Sequence, residues 1–363
     1  MLIEPGLRRG AVKIPPSKSH FHRILVAEAL AGSMERVETV SAEDCDDIKA
    51  TKRCLAALMS DEVQVELDVG ESGSTLRFLA PLAAALGKRS VFKKAGRLSE
   101  RPMMEYPSIS PGVHELPGGV SSQFATGLIF ALPLLDGDSE IRFSSRLESR
   151  GYVDMTLDVV RAYGIKVVES AGGFFIPGNQ KYVVPKEESK RTAEKDWSGA
   201  AFWICANAIG NSIEMPELNG ASRQPDRAVV EAVKSIGGAI DVSEFPDSFP
   251  ALTIAAACKS VQTTFTGISR LRLKESDRIA AMAEVLAGFG VKTEVSALEF
   301  RVLGTSGKLK SGSFKTYDDH RIAMSIAIGA TRAVASVEID NSKCVAKSYP
   351  LFFQEFAQLG RKI

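Results

Sequence analysis

Six times along this chain a polar or glycine-rich turn opens onto about a dozen residues dominated by Ala, Leu, Ile and Phe. The segments are SKSHFHRILVAEALA from Ser17, SGSTLRFLAPLAAAL from Ser72, SSQFATGLIFALPLL from Ser121, DWSGAAFWICANAI from Asp196, DSFPALTIAAAC from Asp247 and DDHRIAMSIAIGA from Asp318. Ser and Asp are favoured helix N-caps, so each segment predicts a helix beginning at its polar turn. Helices apolar nearly all round belong inside a domain. Amphipathic stretches follow most of them, at 46–59, 154–164, 226–238, 274–290 and 350–360. Strand-like stretches lie between, at 63–69, 165–169, 291–302 and 337–340. The buried helices recur every 50 to 75 residues or so, which marks an imperfect repeat of βα units. At 363 residues the chain is too long for one ordinary domain and comfortable as two, so the expectation is an α/β protein with three units in each. The second unit is cut short: between Arg101 and Ser121 stands only PMMEYPSISPGVHELPGGV, a Pro- and Gly-rich loop where an amphipathic helix is due.

Composition excludes several classes. Hydrophobic content of 45% with 25% charge is that of a globular protein. The longest apolar runs, 200–209 and 251–258, fall short of the roughly 18 residues a membrane helix needs. The N-terminal MLIEPGLRRG lacks a signal-peptide core, and the five cysteines (45, 54, 205, 258, 344) read as reduced core thiols, so a cytoplasmic location is expected. A net charge of +1 gives no reason to expect nucleic acid or a membrane surface as partner, so any positive site must be made locally.

Helix starts make such sites, because their N–H groups and dipole favour anions. If the buried helices run parallel, their starts converge on one surface per domain, and two facing surfaces make a cleft for a strongly anionic ligand. Lys18, Ser19 and Arg23 cluster at the first helix start, although a surface helix often begins with a Lys and an Arg. GESGSTLRF places Gly70 and Gly73 where backbone amides can approach a phosphate, but no GK[ST] follows, so it is no Walker loop. Arg101 in GRLSERPM suits a carboxylate or phosphate, or a salt-bridged loop equally well. SSQ at 121–123, with Ser149 and Tyr152 further on, suits a phosphate monoester or simply a good cap. RLRLKESDR (270–278) is the strongest local signal; Lys274 and Arg278, four apart, are expected on one helix face with Glu275 turned elsewhere. YDDHR sets Asp318, Asp319, His320 and Arg321 ahead of a very apolar helix. Metal chemistry fits poorly, since the four histidines (20, 22, 114, 320) form no H-x-x-x-H pair, and a Ser or Cys nucleophile lacks its companions. What remains is acid–base work by carboxylates and Lys among cations.

In order along the chain, PSKSHFHR, SGSTLR, ERPM, SSQF, SRGYVDMT, FPD, LKESDRIAAMA, DDHRIAM and AKSYP resemble the motifs of the 3-phosphoshikimate 1-carboxyvinyltransferase (EPSP synthase) family. The resemblance runs essentially from end to end. It implies an inside-out α/β barrel of two domains, the enolpyruvyl transferase fold. Each domain would hold three βαβαββ units around buried parallel helices, some of them truncated here. One domain would be 1–15 plus 196–363, carrying Asp247, Glu275 and Arg321; the other, 16–195, would hold shikimate 3-phosphate; the site would lie in the cleft between them. The implied reaction moves the enolpyruvyl group of phosphoenolpyruvate to the 5-hydroxyl of shikimate 3-phosphate, as a step of aromatic amino acid biosynthesis, by a monomer with no metal or organic cofactor.

By that resemblance Lys18, Ser19, Arg23 and Lys274 contact shikimate 3-phosphate, Lys18 also meeting phosphoenolpyruvate, and Ser121, Ser122 and Ser149 hold the shikimate phosphate, with Gln123 between the ligands and Tyr152 beside them. Asp247 accepts the proton of the attacking hydroxyl, and Glu275 transfers a proton at the methylene carbon with Lys18 assisting. The backbone of Gly73 with Arg101, Arg278, Arg321 and Lys347 surrounds phosphoenolpyruvate, with His320 adjacent. The two ligands together carry roughly −5 to −6. Lys18, Arg23, Arg101, Lys274, Arg278, Arg321 and Lys347 supply seven positive groups, whose mutual repulsion predicts an open cleft that closes on ligands.

The chain departs from the family pattern in being several tens of residues shorter, with losses before Val69, at 102–118 and at 238–247. Phe21 and His22 stand where Ser and Asn are common, Glu71 where Asn is frequent, and Arg270 where Asn commonly touches the shikimate phosphate. The nearest other enzyme is UDP-N-acetylglucosamine enolpyruvyl transferase, but that needs a reactive Cys on a mobile loop, and 102–119 contains none. A non-catalytic relative of the fold would not need Lys18, Asp247 and Glu275 together.

Overall fold

The computed structural model describes residues 1–305 and 307–361. The chain forms two compact units, Met1–Pro15 with Lys195–Ile363, and Pro16–Glu194. Lys195 therefore lies with the discontinuous unit, one residue earlier than the boundary read from the sequence.

In the continuous unit, strands Gly112–Leu116 and Ser139–Phe143 pair in parallel across the helix Ser122–Ala131. The helix Arg150–Ala162 then leads to Val168–Ser170 and Gly173–Ile176, which add antiparallel to give one four-stranded sheet. The βαβαββ pattern is complete here. It is repeated in the discontinuous unit by Ala239–Asp241, Phe249–Ala257, Gln262–Thr266, Arg278–Gly288, Lys292–Val295 and Phe300–Leu303, with the same strand order. Parallel neighbours need a crossover, and a helix on one face supplies it. Ile141 and Phe265, in the second strands of the two sheets, point into the cores and are fully buried.

The other units are shorter. Gln64–Gly70 and Arg89–Lys94 flank the helix Gly73–Ala85 as a two-stranded parallel pair, and only the 3-10 turn Gly96–Glu100 follows where a full unit has its second helix. Both chain ends are woven into the discontinuous unit: Leu2–Ile3 pairs with Val337–Ile339, and Gly360–Arg361 with Arg8–Ala11.

The buried helices begin where their caps predict in four cases: Ser17, Ser72, Ser121 and Asp196 each accept a hydrogen bond from a backbone N–H in the first turn. Two starts differ by a residue or more. Asp247 lies in the 3-10 turn Pro246–Ser248, and the helix Phe249–Ala257 has Ser248 as N-cap without a side-chain bond. Pro250 in that first turn has no N–H to cap, which leaves Asp247 available for other contacts. The last buried helix, His320–Ala330, is capped by Asp319, while Asp318 takes a left-handed backbone at φ 52°.

Three expected elements also change. The stretch 291–302 is two strands joined by a turn, in which Ser296 Oγ accepts from the Glu299 N–H at 3.0 Å. The strand expected at 165–169 shrinks to Val168–Ser170, and the helix expected from 154 starts at Arg150.

Within each unit the buried helices run the same way. In the discontinuous unit Arg321, second residue of its helix, donates to the Ser198 carbonyl at 3.4 Å and to Asp247 at 3.0 Å. Asp226 meanwhile accepts from Ser198 Oγ at 2.8 Å and Ser248 Oγ at 2.9 Å. Three helix starts thus meet at one end. In the continuous unit the starts meet through Gln123, bound to both Ser74 and Arg77, and through the buried chain His22–Thr51–Thr75–Ser72.

Candidate active site

In the discontinuous unit the site is built around Asp247. Its Oδ1 accepts from Lys274 Nζ at 3.2 Å and Arg278 Nη1 at 2.8 Å, and its Oδ2 from Arg321 Nη2 at 3.0 Å. Arg278 is 1% exposed and also holds Asp319 through Nε at 2.9 Å and Glu275 through Nη2 at 2.8 Å. Glu275 is therefore not turned away from Arg278, as helix spacing predicts; the helix begins only at Arg278, with Asp277 as its cap, so Lys274 and Glu275 lie in the extended turn before it. That turn lets both residues reach inward. His320 is buried beside Asp319, and Lys347 is buried at the end of the turn Lys343–Lys347, which packs on the His320–Ala330 helix.

The electrostatics follow from this packing. Burial would raise the carboxyl of Asp247, but Arg321, Lys274 and Arg278 overcome it and hold it well below the usual carboxylate range. Burial opposes the charge on Arg278 too, yet Asp319, Glu275 and Asp247 raise its pKa further. Lys274 goes the other way, lowered chiefly by burial. Asp247, Glu275 and Asp319 pair with Lys274, Arg278 and Arg321, so the repulsion among these cations, which still acts from Arg278 on Lys274 and Arg321, is offset in part by carboxylates.

In the continuous unit Lys18 opens the helix Lys18–Leu30 and donates to Asp47 at 2.7 Å. Arg23, one turn on, is 2% exposed; it donates to the Ser19 carbonyl at 2.5 Å, the Tyr152 carbonyl at 2.9 Å and Thr156 Oγ1 at 2.8 Å. These hydrogen-bond partners are all neutral, and burial pushes its pKa down to about 9, so it stays charged at neutral pH. Ser121 caps its helix, Ser122 is buried in the first turn, and Ser149 is buried in a left-handed conformation (φ 55°) just before the next helix. Such a backbone in a non-glycine residue stores strain of the kind found at functional sites. At Gly73 a Cβ would lie 2.6 Å from Arg77 Nη1 and 3.2 Å from Arg101 Nη1, so only glycine lets both guanidinium groups crowd this helix start.

The residues marked in the sequence fall into two sets. Lys18, Ser19, Arg23, Gly73, Arg101, Ser121, Ser122, Gln123, Ser149 and Tyr152 belong to Pro16–Glu194; Asp247, Lys274, Glu275, Arg278, His320, Arg321 and Lys347 belong to the other unit. Sequence reading missed Asp47, hidden in an ordinary helix start, and Arg77, although one charged residue in the apolar run TLRFLAPLAAA was a usable signal. Of the atypical positions, His22 is buried with Nδ1 2.7 Å from Thr51 Oγ1, and Arg270 donates to the Ser243 carbonyl. Glu71 is exposed, its carboxylate lying over Gly96. Among the described residues no three His, Cys, Asp or Glu side chains are grouped as a metal site.

Residues 110–356 match the family model of EPSP synthase (3-phosphoshikimate 1-carboxyvinyltransferase). The 3-phosphoshikimate 1-carboxyvinyltransferase of Clostridium acetobutylicum is 37% identical, over 99% of this chain and 96% of the relative; that of Clostridium kluyveri is 34% identical over 99% and 97%. The chain belongs to the EPSP synthase family. The solved EPSP synthase of Acinetobacter baumannii shares its fold, with a TM-score of 0.75 at 22% identity over 99% of this chain and 98% of the other. The enolpyruvyl transferase NikO of Streptomyces tendae does so with a TM-score of 0.70 at 15% identity, over 99% and 97%. The fold is therefore the enolpyruvyl transferase fold. The Clostridium acetobutylicum alignment spans 420 positions against the 363 residues of this chain, so the chain is a shortened member of the family. Its two-stranded second unit is one place where an element is absent.

Proposed function

We propose that this chain transfers the enolpyruvyl group of phosphoenolpyruvate to the 5-hydroxyl of shikimate 3-phosphate, releasing inorganic phosphate, and acts as a monomer. The observation that carries this reading is the cluster in which Asp247 meets Lys274, Arg278 and Arg321 while Glu275 shares the Arg278 guanidinium. A base and an acid are thus set among cations suited to a multiply charged anion.

In this reading the hydroxyl oxygen attacks C2 of phosphoenolpyruvate and its proton passes to Asp247. Glu275 gives a proton to the methylene carbon, so that C2 becomes tetrahedral. Loss of phosphate breaks the old C–O bond, the departing phosphate taking the proton held on Asp247, and the added proton returns from carbon to Glu275, restoring the double bond. Atoms and electrons balance without metal or organic cofactor. Asp247 is a weak base while three cations hold it, and anionic substrates that draw Lys274, Arg278 and Arg321 toward themselves raise its proton affinity. Ser121, Ser122 and Ser149 serve the shikimate phosphate; Lys18, Ser19 and Arg23 contact shikimate 3-phosphate, Lys18 also meeting phosphoenolpyruvate; Gln123 stands between the two ligands, and Gly73, Arg101 and Lys347 serve phosphoenolpyruvate.

Phosphate release from phosphoenolpyruvate is expected with shikimate 3-phosphate and not with UDP-N-acetylglucosamine; the reverse preference overturns the acceptor. Asp247→Ala and Glu275→Ala are each expected to lower turnover by about 10²–10⁴-fold. Near-normal rates in either variant remove that residue from its role.

A further inference from the structure

Arg77 lies on the second turn of the Gly73–Ala85 helix, 4% exposed, with its guanidinium over the Phe124 ring. Nothing in the proposed chemistry employs it. Its Nη1 donates to Gln123 Oε1 at 2.8 Å, and its Nε and Nη2 both donate to the Pro102 carbonyl, at 3.2 and 2.7 Å. Gln123 in turn donates from Nε2 to Ser74 Oγ at 2.9 Å. Arginine is only ever a donor, so the Gln123 carbonyl must face Arg77 and the amide nitrogen must face the helix start. A flipped amide would set an N–H against a guanidinium and offer a carbonyl oxygen to an incoming anion.

The second grip has its own consequence. Pro102 directly follows Arg101 in a segment without helix or strand. Two hydrogen bonds to its carbonyl fix that segment where Arg101 Nη1 comes within 3.2 Å of the place a Gly73 Cβ would occupy.

We propose that Arg77 is a positioning residue: one guanidinium locks Gln123 as a hydrogen-bond donor and anchors the segment that holds Arg101 over the Gly73 turn. This rests on the reading of Gln123 as standing between the two ligands, where it reaches phosphoenolpyruvate, and of Arg101 as a phosphoenolpyruvate contact. The two arms of the fork serve two separate groups, which a lysine, with one tetrahedral donor head, does not reproduce.

The test compares wild type with Arg77→Lys, Arg77→Gln, Gln123→Ala and the double variant Arg77→Gln/Gln123→Ala in steady-state phosphate release. Both Arg77 variants are expected to raise the KM for phosphoenolpyruvate by at least about tenfold, the worth of one charge-assisted hydrogen bond. The double variant is expected to lie within about twofold of the worse single one, because residues acting through one another are not additive. Restoration by Arg77→Lys, or effects that multiply, overturns the proposal. Gln123→Glu guards against misfolding at Arg77. It keeps an acceptor for the guanidinium and puts an oxygen in place of the donor, so it should melt no lower than Gln123→Ala while losing phosphoenolpyruvate affinity. A lower melting temperature contradicts the contact. Silence of the wild type in the assay sinks the proposed reaction instead. The coupling is then read from the melting-temperature shifts that phosphoenolpyruvate produces in the same variants, with the same expectations.

Discussion

In Asp247 three cations keep a carboxylate ionised, and the proposed reaction asks the same carboxylate to take a proton. The field that disfavours protonation also contributes stability. Because the folded pKa lies below the ordinary 3.8, that contribution is fully present above the unfolded value and is lost as pH falls through the folded one. Stability against urea should therefore fall with a steep limb below about pH 4. Asp247→Asn should be less stable at neutral pH by about 1–3 kcal/mol, since three cations lose one partner on a side chain still 22% exposed. Its acid limb should be shallower than that of the wild type; parallel limbs contradict the assignment. At this scale the sequence was partly legible. KESDR and DDHR named Glu275, Arg278 and Arg321, but helix spacing turned Glu275 the wrong way, because only the structure shows Asp277 starting the helix after it. Asp47 and Arg77 were not found, since their meaning lies in partners 29 and 46 residues away.

The buried helices are where sequence said most. Caps at Ser17, Ser72, Ser121 and Asp196 and the apolar runs behind them were readable because both signals are local. Strand ends at 165–169 and the split of 291–302 were not, since short strands are fixed by their neighbours in the sheet rather than by their own residues. Nor could the sequence show how closely Gly73–Ala85 and Ser122–Ala131 pack. A Cβ on Gly127 would stand 2.2 Å from the Arg77 carbonyl oxygen and 2.9 Å from Pro81 Cγ. Gly127→Ala should therefore push the two helices apart at a cost of about 1–3 kcal/mol, lowering the melting temperature. It should also raise the KM for phosphoenolpyruvate, because Arg77 and Gln123 sit on the two helices that move. A variant with wild-type melting and kinetics contradicts this packing.

For the molecule as a whole, the ordered motifs carried more than composition could. A net charge of +1 conceals a site rich in paired charges, and a chain shortened relative to its family retains the two complete βαβαββ units. The proposed reaction draws residues from both units to one pair of ligands. Small-angle scattering should then show a smaller radius of gyration with both ligands present, and an unchanged radius contradicts this. The most direct test of the account is an NMR time course of the wild-type protein with both substrates, following phosphorus and vinyl protons together. Phosphoenolpyruvate is expected to disappear, inorganic phosphate to appear one for one, and new vinyl signals to arise on the shikimate 3-phosphate skeleton. Phosphate without those vinyl signals, or no change with folded protein, contradicts it.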